Sequence, residues 1–141
     1  MVEYRTEECR RINPWVYEDT CYHKPLSINA AYYMNKKKTK AYTEYERAWA
    51  KVFDLACIPE DHIENVKDMY FAVEYIWGFS NNQSDVDNPI KTTTDIMQNH
   101  FGFNDKQIRI VKATKLLVPK GSEYAHVKIR EVFLDDLGGV T

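Results

Sequence analysis

The run Met-Tyr-Phe-Ala-Val-Glu-Tyr-Ile-Trp-Gly-Phe over 69–79 is aromatic and β-branched almost throughout, and it predicts a central strand. Upstream, Tyr45, Trp49, Val52, Phe53 and Leu55 or Ala56 recur at the spacing of one helix face, and Pro59 marks a stop. Thr43 with Glu46 three residues on forms a capping-box pair, so a helix is expected over 43–57. Downstream, Asn88 before Pro89 is a helix start, because Asn is a favoured N-cap and Pro is tolerated in the first turn. The helix it opens, 89–100, runs through Ile90, Thr94, Ile96, Met97 and His100 and ends near Gly102. Two closing strands, 107–117 and 124–133, flank the turn Pro119-Lys120-Gly121-Ser122; alternations such as Ile108, Ile110, Lys112 and His126, Lys128, Arg130 fit half-exposed sheet faces. A first strand is expected over 16–21. Residues 23–40, with Pro25, Ser27, Asn29, Asn35 and a lysine cluster, have the composition of an exposed loop. The order strand, helix, strand, helix, strand, strand describes an α+β fold over 1–141: one domain with a small mixed β-sheet and two main helices on one face.

Composition adds limits. The chain has 141 residues, 44% of them apolar, enough for one core, and 28% charged. No apolar run approaches the ~20 residues of a spanning helix, so no membrane partner is expected. The opening Met1-Val2-Glu3-Tyr4-Arg5-Thr6-Glu7-Glu8 has no hydrophobic signal region, so no secretory leader is expected there. Cys9, Cys21 and Cys57 have no paired short spacing and fit reduced thiols in a cytoplasmic compartment. The net charge of -2 argues against nucleic-acid binding only until it is resolved along the chain. Residues 35–51 carry Lys36, Lys37, Lys38, Lys40, Arg47 and Lys51 against Glu44 and Glu46, six cations to two acids, a local balance of +4. The acids gather elsewhere, and a cation bound among aspartates would offset their charge.

Asp85, Asp87 and Asp105 with Lys91 fall within about twenty residues around the second helix start. Carboxylates placed together repel, and a hard divalent cation relieves the repulsion. Across an extended Asp85-Val86-Asp87 both side chains would point the same way, and Asp87 lies beside the positive end of the helix dipole. Lys91 lies one turn on, with Asp95 four residues beyond it on the same face. Each residue also has a purely structural reading: Asp87 or Asn88 capping the helix, Lys91 with Asp95 as a surface ion pair, Lys36 to Lys40 as a solvated loop. A calcium loop opening at Asp85 is excluded, because its sixth position is Ile90 and its twelfth Ile96 rather than Gly and Glu. His23, His62, His100 and His126 have no ligand spacing, and the cysteines lack the context of a nucleophile. The 10 Tyr, 3 Trp and 6 Phe are mostly core material, although Tyr32, Tyr33, Tyr42 and Tyr45, interleaved with the lysines, could touch DNA.

The pattern Asp85-x-Asp87-Asn88-x-x-Lys91-x-x-x-Asp95, followed by Asn104-Asp105-Lys106-Gln107-Ile108, resembles the RusA family of Holliday-junction resolvases. Upstream, Pro25-x-Ser27-x-Asn29 and the helix containing Arg47-Ala48-Trp49 are similar to that family's N-terminal half, so the resemblance spans about residues 22–130. It implies a homodimeric endonuclease, often from phages or prophages, that resolves four-way DNA junctions with Mg2+ or Mn2+. Asp85, Asp87 and Asp105 would hold the metal, Lys91 would be the catalytic lysine, and Asn88 and Asp95 would support them. Lys36, Lys37, Lys38 and Lys40 would contact DNA phosphates. Two positions depart from the pattern: Asn104 stands where the family often has a further aspartate, and Asn81-Asn82-Gln83 lacks the aromatic some members carry. A non-cleaving DNA-binding or regulatory module on the same fold, and a nuclease for branched DNA generally, are the alternatives.

Overall fold

The computed structural model describes residues 16–33, 37–56 and 66–133. Its elements are β1 (Val16–Cys21), α1 (Ile28–Ala31), β2 (Tyr32–Tyr33), β3 (Lys37–Lys38), α2 (Lys40–Leu55), β4 (Tyr70–Phe79), α3 (Asn88–Phe101), β5 (Ile108–Leu117) and β6 (Tyr124–Val132). This is an α+β fold with a four-stranded mixed sheet in the order β1-β6-β4-β5. β6 runs antiparallel to both β1 and β4, while β4 and β5 are parallel. A parallel pair needs a crossover, and α3 supplies it. Among the described residues, no helix is long and apolar enough to cross a membrane.

The aromatic run of β4 builds the centre. Phe71, Val73, Tyr75, Trp77 and Phe79 alternate onto one face, all buried, and face the helices. α2 contributes Tyr42, Tyr45, Trp49 and Phe53 from one stripe, and α3 contributes Ile96, Met97 and Phe101. Tyr17 of β1 touches both helices, with its ring 6.1 Å from that of Phe53 and 4.9 Å from that of Phe101. Both main helices therefore cover the same side of the sheet. On the other side Tyr124 lies across Gly78, so close that a Cβ on Gly78 would come within 2.4 Å of its ring.

The segment expected to be a loop over 23–40 contains local structure. Ser27 accepts a hydrogen bond from the Asn29 amide and caps the single turn of α1, and β2 pairs with β3 in a two-residue hairpin. The Thr39 hydroxyl then accepts from the Tyr42 amide at 3.2 Å and donates to the Ala30 carbonyl at 2.7 Å. That double use docks the start of α2 on α1, so the helix begins at Lys40 and Thr43 lies inside its first turn. The Thr43–Glu46 capping box is thus replaced by a Thr39 cap. α2 closes at Leu55, with the Ala56 amide bonded to the Phe53 carbonyl; Cys57, where the helix was expected to end, lies outside the described residues, as do Cys9 and His62. The other expected elements match to within one or two residues, the ordinary scatter of helix and strand ends.

Candidate functional site

β4 delivers the chain to the start of α3 through 80–87, and two anchors shape that passage. The Trp77 indole N–H donates to the Val86 carbonyl at 2.8 Å, and the Asp85 carbonyl accepts from the Asn88 amide at 3.3 Å. Val86 and Asp87 consequently form a turn. The extended geometry expected across Asp85-Val86-Asp87 is not formed, because a buried indole holds the middle carbonyl. Asp87, not Asn88, occupies the N-cap position, yet its side chain makes no capping bond. Both carboxylates are exposed. The side chain of Asp87 therefore does not cap the helix, and its charge is left beside the positive end of the helix dipole.

The inner face of α3 is fixed by threonines. Thr93 shares a 2.8 Å hydrogen bond with the Tyr45 hydroxyl of α2, and Thr94 is bonded to the Tyr75 hydroxyl of β4. Burial pushes both phenols up, Tyr75 to about 12, so they remain neutral hydrogen-bonding groups. Seating that face turns Lys91, Asp95 and Gln98 outward together, at the i, i+4, i+7 spacing of one helix stripe.

On that outer stripe Lys91 Nζ lies 3.0 Å from Asp95 Oδ1 and 3.7 Å from Asp105 Oδ2. The pairing expected between Lys91 and Asp95 is present, and Asp105 joins it from the far end of the helix. Gln98 Nε2 donates to Asp105 Oδ1. Asp105 opens a short 3-10 turn, Asp105–Gln107, whose geometry comes from its neighbours. Asn104 Oδ1 accepts from the Lys106 amide at 2.9 Å, and the Asn104 amide donates to Gln107 Oε1 at 2.8 Å. Gln107 Nε2 then donates to the carbonyls of Val66 and Met69, which seats the turn on the segment leading into β4. Asn104 thus has a structural task in positioning Asp105.

These residues line an open cleft of about 350 Å³, which Lys38, Tyr32 and Tyr42 close from the side of β2, β3 and α2. Lys38 Nζ stands 4.8 Å from the Tyr42 ring centroid and 3.7 Å from Glu46 Oε2. Of the expected basic cluster, the structure brings Lys38 to the cleft; Lys37 and Lys40 are exposed nearby in sequence, and Lys36 lies outside the described residues. Tyr32 and Tyr42, which interleave with the lysines in sequence, belong to the cleft, as do Gln98 and Asn99, which were not expected there. Gln98 was discoverable, since it falls seven residues after Lys91; Tyr32 and Tyr42 needed the hairpin. The Asp95 hydrogen bond holds the Lys91 ammonium above its ordinary pKa against the opposing effect of burial, with the charges of Asp95 and Asp105 adding to it. Lys91 is therefore a fixed positive charge at neutral pH, suited to an anionic oxygen and not to accepting a proton.

The metal expectation needs a donor set. Exposed carboxylates are the right chemistry for magnesium or manganese. Among the described residues no group of three or more Asp, Glu, His or Cys side chains stands close enough to hold an ion. Asp105 is instead engaged by Lys91 and Gln98. Magnesium at phosphate-processing sites is commonly held by only one or two carboxylates, with water and phosphate oxygens completing its shell. The described residues do not form a preassembled three-carboxylate cage. No known protein family's profile matches the chain, and no curated protein matches it significantly.

Proposed function

We propose that this chain is a metal-dependent endonuclease that acts on branched DNA, resolving four-way junctions by paired nicks in recombination and repair. The observation that carries the reading is the cleft in which Lys91, Lys38 and the carboxylates of Asp95 and Asp105 meet at one side of α3. The resemblance of the motif around it adds the substrate. Lys91 would hold a non-bridging oxygen of the scissile phosphate and offset charge that builds there. Asp95 would hold Lys91 in place through its 3.0 Å bond. Lys36, Lys37, Lys38 and Lys40 would follow the phosphate backbone, making affinity fall steeply with salt. One or two of the carboxylates of Asp85, Asp87 and Asp105 would hold the Mg2+ or Mn2+ ion, which when bound lowers the pKa of a water and neutralises phosphate charge. Two copies related by a two-fold axis would give two equivalent cuts on a symmetric junction, and the setting would be the cytoplasm of a bacterium or a phage-infected cell.

The uncaged carboxylates favour a second reading, a DNA-binding module on this fold that does not cut. A synthetic four-way junction with magnesium separates the two, using wild type and Asp87→Asn. The nuclease reading expects cleavage by wild type and its loss in the variant with binding retained. Binding without any wild-type cleavage would leave the module; equal cleavage by both proteins would remove Asp87 from the site. Fork and linear duplex substrates in parallel test whether branching in general is recognised.

A further inference from the structure

We infer that a pocket beside the loop carrying Asp85 receives one unpaired nucleobase of the branched DNA. The inference rests on the DNA reading proposed above and adds a base to its phosphate contacts. The pocket is a second cavity, of about 310 Å³, bounded by α1, the start of α2, the end of β4 and Ser84, the residue before Asp85. Ligand cavities run from ~300 to ~1,000 Å³, so this one suits a single small ring system. It lies at the carboxyl end of β4, the strand paired in parallel with β5, and ligands of parallel sheets gather outside that end. The floor is apolar and buried, made by Pro25, Leu26 and Phe79. His23 adds a ring at the wall. Its Nδ1–H donates to the Lys24 carbonyl at 2.8 Å, and its ring lies 5.4 Å from that of Tyr45. An aromatic ring beside an apolar floor is the surface on which flat bases stack.

The rim is polar in the way the edge of a base requires. Ser27 Oγ accepts from the Asn29 amide and keeps its proton to donate. Ser84 Oγ donates to Asn81 Oδ1 at 3.1 Å and keeps its lone pairs to accept, and the Glu44 carboxylate is a second acceptor. Lys24 at the mouth, and Lys40 one helix turn before Glu44, offer charge to the phosphates on either side of the base. Donors, acceptors and cations around an apolar floor match a nucleotide in a strand and not a purely apolar group. The pocket is also preformed. Lys115 of β5 donates to the carbonyls of Asn82 and Ser84, and Asn81 Oδ1 accepts from the amides of Gln83 and Ser84, each at 2.9 Å. The Ser84 wall is therefore fixed, and little order is lost on binding. A branch point supplies the occupant, because bases already freed from pairing are the least costly to extrude.

The test uses a synthetic four-way junction with 2-aminopurine placed in turn at each position beside the crossover, without divalent metal so that no strand is cut. Stacking quenches this base. Wild type is expected to raise its fluorescence at one position and to shield it there from acrylamide. Ala30→Phe and Ala41→Leu fill the pocket from α1 and from α2. Each is expected to abolish the rise and the shielding and to weaken junction binding about tenfold, the scale of one base's contacts. Thr114→Phe, exposed on the sheet face away from the helices, should leave all three unchanged. A wild type that binds no junction would remove the DNA reading and the pocket's occupant with it. A wild type that binds or cuts the junction while no position responds would overturn the pocket alone. So would a response that persists in a folded, filled variant. If circular dichroism shows that neither filled variant folds, His23→Ala decides: shielding falls with loss of the ring, and unchanged shielding overturns the proposal.

Discussion

The seat of α3 rests on hydroxyl pairs, and the Tyr45–Thr93 pair permits a quantitative test. Both residues are fully buried, at 0% exposure, and joined at 2.8 Å. Thr93→Val leaves the Tyr45 hydroxyl buried without its partner, which costs about 1–3 kcal/mol. Tyr45→Phe leaves only the threonine hydroxyl, which can turn to a carbonyl of its own helix one turn back, so about 0.5–1.5 kcal/mol is expected. The double variant removes both polar groups together and should lose less than the sum, with a coupling of about 1–2 kcal/mol. Urea unfolding of the four proteins measures the cycle, and each kcal/mol should also move Tm by about 3–4 °C in a chain of this size. A coupling under ~0.5 kcal/mol would refute the claim that this bond seats the helix. So would a larger loss from Tyr45→Phe than from Thr93→Val.

At the cleft, Lys91→Met and Asp105→Asn should each abolish junction cleavage while changing unfolding free energy by no more than about 1 kcal/mol, since the ion pairs there are solvent-exposed. A stability loss large enough to explain the lost activity would make them structural residues. Gly78→Ala should destabilise by about 1–3 kcal/mol, because the new methyl enters the space of the Tyr124 ring, and Tyr124→Ser should recover part of that loss in the same chain. Urea midpoints check it; an unperturbed Gly78→Ala would mean that the ring swings away freely. His100 stacks on Phe53 with centroids 3.8 Å apart, and burial lowers its pKa below the ordinary 6.5, opposed by Asp54. The unfolded chain then takes up the proton first, so this contribution to stability is complete above pH 6.5 and is lost as pH falls below it. His100→Gln should flatten the decline in Tm over that range, and an unchanged slope would assign it to other groups.

Much of the architecture was legible because periodicity records burial. The stripe Tyr45, Trp49, Phe53 and the alternation of β4 state which side faces the core, and Asn88-Pro89 states where a helix opens. The hairpin that brings Lys38 towards Lys91 was not legible, since a four-residue helix and a two-residue ladder carry too few positions for a period. The start of α2 was misplaced for a related reason. Thr39 and Thr43 both offer a capping hydroxyl, and only the nearby Ala30 carbonyl, a tertiary contact, selects Thr39.

The candidate site divides in the same way. Sequence alone determined that Lys91 and Asp95 share a helix face, because four residues make slightly more than one turn. It also determined that acidic and basic groups concentrate around the start of α3. Tertiary structure decided that Asp105 meets Lys91, through a turn capped by Asn104 and seated by Gln107. It decided that Asp85 and Asp87 are separated by a turn, because the Trp77 indole claims the Val86 carbonyl. It left β5 at the edge of the sheet with apolar side chains exposed. Local pattern fixes which face of an element is buried. Which elements then become neighbours depends on long-range hydrogen bonds that no window of sequence contains.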